Sequence, residues 1–190
     1  MKPHLNYIIL LLAGLIVSCS NEETVSRYEP TPSPLHIPEI FKAHILNPVI
    51  PSDNPQTVEG IALGKKLFFD PILSGNNTQA CADCHAPENA FTDINRFSEG
   101  IDGSLGNRNA MPLFNLAWNY DEKFFWDGHS FSLEHQAFLP VTDPIEMKSR
   151  WADVEQKLQN HPEYPDLFEK AFGINPIDST MVTKAIAQFE

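Results

Sequence analysis

Cys81-Ala82-Asp83-Cys84-His85 places two thiols and an imidazole within five residues. In a helical turn, a two-residue spacer brings both sulfurs to the same side and turns the following histidine toward whatever they hold. This C-x-x-C-H order is the pattern by which a c-type haem is attached covalently, with Cys81 and Cys84 on the two vinyl groups and His85 as the axial ligand of the iron. A structural zinc site needs four ligands, and no second Cys or His pair of similar spacing is present. A thioredoxin-type disulfide wants a strand before the first cysteine, whereas Gly75-Asn76-Asn77-Thr78 reads as loop.

The third cysteine has a different setting. Lys2 precedes an apolar run from Tyr7 to Val17 that is too short to cross a bilayer and ends in Ile16-Val17-Ser18-Cys19, which reads as an export leader. The ending looks like the lipobox of bacterial lipoproteins, so residues 1–18 are expected to be a signal peptide and Cys19 the lipidated first residue of the mature chain. Ordinary cleavage that leaves Cys19 as a thiol is the plainer alternative. Attachment to a membrane would then be by lipid alone, and the protein would face the periplasm or the cell surface.

Formal charge is -12, and loss of Lys2 with the leader makes it more negative, which excludes nucleic acid as an expected partner. An acidic surface would steer a basic electron-carrier protein, or simply keep an exported chain soluble. Pro30, Pro32, Pro34 and Pro38 mark 19–40 as lipid anchor plus extended linker, with order beginning near Ile40.

The first convincing helix is expected over 58–69, capped by Thr57 and stopped by Asp70-Pro71. Gly60, Leu63, Gly64, Leu67 and Phe68 share one face, and two glycines there ask for a close neighbour, a porphyrin edge or a packed helix. From 71 to 125 the chain is mostly loop, more than a compact domain carries without something to organise it, which a bound haem would be. Helical periodicity returns at Trp151, Val154 and Leu158, at Leu167, Phe168, Ala171 and Phe172, and at Val182, Ala185, Ile186 and Phe189 after Asp178-Ser179. No run alternates like a strand, so an all-α c-type cytochrome fold is expected.

The iron's sixth position separates a carrier from an enzyme. A methionine there makes an electron-transfer centre and an open position admits peroxide, and Met111, Met147 and Met181 all come after the motif.

Beyond the haem motif, the chain resembles the bacterial di-haem cytochrome c peroxidases and their methylamine-utilisation relatives. The matching stretches run in order from Glu59 to Pro71, Cys81 to His85 with Ala90-Phe91-Thr92-Asp93, and Gly106 to Ala110. Phe125-Trp126-Asp127-Gly128, Leu133-Glu134-His135-Gln136, Pro140 and Pro144-Ile145-Glu146-Met147 complete the series.

The resemblance implies a peroxidatic haem domain over 41–150, with 151–190 opening a second cytochrome domain whose own haem motif is expected beyond Glu190. It implies hydrogen peroxide as substrate, a small donor such as cytochrome c, and room for a homodimer. By motif position Glu146 resembles the catalytic acid-base, Gln136 a polar residue of the distal pocket and Pro140 a residue shaping it. Trp126 resembles the indole between the two haems, and Asn109 a residue that helps hold calcium at the domain interface. A pocket carboxylate suits peroxide cleavage, which needs a proton moved from one oxygen to the other. The plain alternatives are an exposed helix-start carboxylate for Glu146, a core indole for Trp126 and a surface amide for Gln136. An electron-transfer lipoprotein without peroxidase activity is the main rival function, and a relative oxidising a protein or small organic substrate is a third.

Two positions depart from the family pattern. Ile101-Asp102-Gly103 stands where members with a resting bis-His haem carry a histidine, so the iron is expected to rest with water or an open site. His129 stands where an arginine usually comes after Trp-Asp-Gly.

Overall fold

Residues 28–190 are described by the computed structural model, so the leader and Cys19 lie outside the described residues. The described chain is helical and contains no strand, only isolated bridges. A short α1 (Glu39–Lys42) precedes α2 (Val58–Phe69), whose Thr57 cap accepts a hydrogen bond from Gly60 N and so satisfies one of the free amides of the first turn. The haem motif forms a single turn, α3 (Cys81–Cys84). Then come α4 (Leu133–Thr142), α5 (Trp151–Gln159), α6 (Tyr164–Phe172) and α7 (Ser179–Phe189), the last capped by Asp178, which accepts from Met181 N. Among the described residues no helix is long and apolar enough to cross a membrane.

The glycines of α2 meet a packed helix. A Cβ on Gly64 would stand 1.8 Å from the carbonyl oxygen of Ala185 on α7, and one on Gly60 would meet the Gln188 side chain. Gln188 is itself buried, accepting from Thr57 N at 3.0 Å and donating to Asn54 Oδ1 at 2.9 Å. Phe68 and Phe189 complete the contact, their rings 5.2 Å apart.

One buried cluster unites Leu63, Leu67 and Phe68 of α2 and Val141 of α4 with Val154 of α5 and Val182 of α7. α6 and α7 pack onto α2, α7 packs onto α4 as well, and Trp151 of α5 stacks on Phe138 of α4, so the helices after residue 150 share a core with those before it. Order begins before Ile40, earlier than expected: Ser33 N donates to Gln56 O at 3.0 Å, Val58 N to Thr31 O at 2.9 Å, and Tyr28 Oη to Ala171 O at 3.0 Å. An extended proline-rich segment keeps its backbone groups free for such docking.

Between α2 and α4 the chain is loop, pinned at three points by the bridges Ala86↔Thr92, Glu99↔Leu105 and Phe124↔Ser130. These closures form the walls of a cleft.

Candidate functional site

The turn α3 is fastened at both ends. Ala80 N donates to Asp83 Oδ2 at 2.8 Å, and His85 N donates to Cys81 O at 3.0 Å. Burial pushes the Cys81 thiol up to about 12 and that of Cys84 up to about 11, so both sulfurs sit where an uncharged thioether is favoured over a thiolate. No disulfide joins them.

His85 Nδ1 donates to the carbonyl oxygen of Phe91 at 3.1 Å. Burial lowers the imidazole's pKa, outweighing the backbone hydrogen bonds with Phe91 and Met111, which favours the neutral ring that an iron ligand must be. The carbonyl is aimed by a left-handed corner, Ala90 at φ 57° and Phe91 at φ 55°.

Around this turn lies a cleft with two lobes that share Gln79, Cys84, His85, Gln136, Pro140 and Glu146. Two side-chain oxygens on its walls, Gln79 Oε1 and Gln136 Oε1, are buried without a hydrogen-bond partner in the protein. Such atoms are costly unless something else satisfies them. A covalent haem fits this donor set: two sulfurs in one turn, a neutral imidazole, a large cleft and unpaired polar atoms beside it.

Gln136 and Pro140 lie one helical turn apart on α4, and Gln136 is 5% exposed, which rules out the surface alternative. Glu146 sits in the turn after α4, anchored by its N–H to Asp143 O at 3.2 Å, and so is not at a helix start. Its carboxyl opens onto the cleft and is solvent-accessible there, yet protein crowds it on the other sides. That desolvation, with the nearby Asp143 carboxylate second, pushes its pKa up to about 7.

Trp126 lines the larger lobe but is 60% exposed, with its Nε1 donating to Asn109 O at 2.7 Å, so it is not a core indole. Asn109 spends its amide nitrogen on the carbonyls of Asp93 and Asn95, at 2.9 and 2.6 Å, which ties down a loop. Among the described residues no group of three or more His, Cys, Asp or Glu could hold a metal ion.

Asp102 points to Lys148 at 2.8 Å, and that ammonium, with Ser104, holds its carboxyl well below the usual range. His129 stacks on Phe125 and pairs with Asp127, which also accepts from Arg108 Nη1 at 2.7 Å. Met111 lines the larger lobe, with its backbone hydrogen-bonded to the His85 ring. Met147 is buried in the core and Met181 packs against it. Sequence reasoning did not single out Gln79 or Ser98, which carry no motif and look like ordinary loop residues.

A family model described as di-haem cytochrome c peroxidase matches residues 58–190. The chain is 42% identical over 141 residues to the methylamine utilization protein MauG of Methylorubrum extorquens, covering 74% of this chain and 39% of that one. It is 34% identical over 182 residues to the cytochrome-c peroxidase IdrP1 of Pseudomonas sp. strain SCT, covering 95% and 45%. Among solved structures, a MauG-like protein associated with microbial copper homeostasis superposes with a TM-score of 0.71 at 33% identity, covering 80% of this chain and 44% of that one. The chain therefore spans less than half the length of these relatives.

Proposed function

The chain belongs to the di-haem cytochrome c peroxidase family, and from that premise we propose that its cleft is the peroxidatic site of a cytochrome-c peroxidase, reducing hydrogen peroxide to water with electrons from a donor cytochrome. The observation that carries this reading is the convergence of Glu146, Gln136 and Pro140 on the cleft that Cys84 and His85 also line. Cys81 and Cys84 would hold the haem covalently, with His85 Nε2 on its iron. When bound, the haem supplies an iron that accepts peroxide and passes electrons to it.

The protein's own part is proton handling. The ionised Glu146 carboxylate takes the proton from one peroxide oxygen and returns it to the other, which then departs as water. Its pKa near 7 suits both halves of that transfer. The Gln136 amide, with an unpaired oxygen, offers an acceptor that orients the peroxide O–H. Pro140 presents a rigid wall without an N–H donor.

Further parts of the reading concern the whole protein. Residues 1–18 direct export and Cys19 carries the lipid anchor at the periplasmic or outer face. Trp126, exposed on the cleft, is placed to relay electrons from a second haem carried by the rest of the protein. Asn109 contributes to a calcium site there, and a homodimer is the proposed assembly.

Mixing the ferric, haem-loaded full-length protein with peroxide is the direct test. We expect a spectral change within milliseconds, and a rate roughly 10²-fold slower in Glu146→Gln, the scale general acid-base groups contribute. A normal rate in that variant would overturn the assignment, and a spectrum unmoved by peroxide would favour the electron carrier. Oxidation of a donor cytochrome in step with peroxide separates this activity from that of a relative acting on a protein or organic substrate.

A further inference from the structure

Taking the peroxidatic reading of the cleft as its basis, we infer that Gln79 is a positioning residue for Glu146: its amide ties the haem-attachment turn to the loop that clamps the carboxyl-bearing turn. Gln79 is 9% exposed and spends both hydrogens of its amide nitrogen, donating to Glu99 O at 2.7 Å and to Cys84 Sγ at 3.5 Å. Its own backbone is fixed by a hydrogen bond from Gln79 N to Ser74 Oγ at 3.2 Å.

The residues after Glu99 rest directly on the turn that carries Glu146. A Cβ on Gly100 would stand 1.6 Å from Ile145 O, so only glycine lets the two backbones lie this close. Ile101 N donates to Glu146 O at 3.1 Å, and Asp102 pairs with Lys148 at 2.8 Å. Residues 99–102 therefore grip Glu146 from both flanks, through Ile145 before it, Lys148 two residues after it and its own carbonyl. At its other end this strap is tied to Cys84 by the Gln79 amide, with the Ser98 hydroxyl beside it as a second contact to that cysteine. The path is short: sulfur, amide, Glu99 carbonyl, strap, Glu146 backbone. A leucine in place of Gln79 fills the space and cuts the path.

The test uses the haem-loaded full-length protein carrying Gln79→Leu, with Gln79→Met, unbranched and of similar volume, as the second variant. The expected result is haem content equal to wild type, KM for peroxide unchanged, and kcat lower by roughly five- to tenfold, the scale of one lost buried hydrogen bond. In a Glu146→Gln background, Gln79→Leu should cost nothing more, because no carboxylate is left to position. A merely structural role would lower stability or haem content without that non-additivity. An unchanged kcat, a full additional loss in the Glu146→Gln background, or failure of both variants to take up haem overturns the inference. A wild-type protein inert to peroxide overturns the functional reading as well, and is told apart by needing no variant.

Discussion

Gly64→Ala places the added methyl against backbone. In the present packing its Cβ would lie 1.8 Å from Ala185 O, 2.5 Å from Ala185 C and 3.0 Å from Phe189 Cβ, where ordinary contact begins near 3.4 Å. To clear the carbonyl, α2 and α7 must separate by roughly 1.6 Å, the gap between those two distances. A gap of this size forfeits a good part of the dispersion contact along the seam that joins Leu63, Leu67 and Phe68 to Val182 and Ile186. Overpacking of this kind costs about 1–3 kcal/mol, and backbone cannot rotate away, so the upper end applies. Alanine's better helix propensity returns about 1 kcal/mol. The net loss is then about 2 kcal/mol, or a Tm lower by about 4–8 °C for a domain of this size. Urea unfolding of the haem-loaded full-length protein, monitored by far-ultraviolet circular dichroism, measures it as a lower midpoint at unchanged slope. Gly60→Ala, facing the movable end of Gln188, should lose less. A Gly64→Ala protein as stable as wild type would show that the two helices do not lie as close as described.

Because burial and Asp143 raise the Glu146 carboxyl to about 7 and its ionised form is the proposed proton acceptor, the peroxide reaction should speed up as pH rises through about 7 and level off above. Glu146→Gln should flatten that limb, and a limb that persists would assign it to another group. The same ionisation costs some stability as pH rises through about 7, since the fold favours the protonated form, and the cost is small because the carboxyl is open to the cleft. Ala90 holds φ 57° and ψ 41°, a conformation costly for any Cβ, so Ala90→Gly should raise stability in urea by about 0.5 kcal/mol and leave the Phe91 contact to His85 in place. A loss of stability there would mean that the methyl packs more than it strains.

Features fixed by neighbouring residues were legible in the sequence, and those fixed by distant chain were not. The span 58–69, its Thr57 cap and its Asp70 stop match the expectation residue for residue, because capping is decided within one turn. The glycine face of α2 was readable as needing a close neighbour, but only packing shows that the neighbour is α7 rather than a porphyrin edge. For the same reason the helices of 151–190 were legible one by one but their seat was not: periodicity shows that a helix has an apolar face, not which core receives it. Gln79 stood unnoticed in a polar loop because its burial is made by Glu99, twenty positions away. Glu146 and Gln136 were reachable only through the motif resemblance.

The loop segment from Ala86 to Ser130 shows why the cleft and its occupant belong together. Among its described hydrophobic side chains only Leu113 and Phe124 are buried, while Ile94, Leu105 and Phe114 are exposed. Isolated bridges, turn and side-chain hydrogen bonds hold it, with Phe91, Met111 and Leu116 partly buried against the core, which is little apolar burial against the conformational entropy of ordering so long a stretch. Large apolar surface must come from outside the segment, and the cleft it walls is where such a group would sit. A haem held by Cys81 and Cys84, as proposed, would meet that need, and the attachment that the five-residue motif specifies would then also order the loops around it.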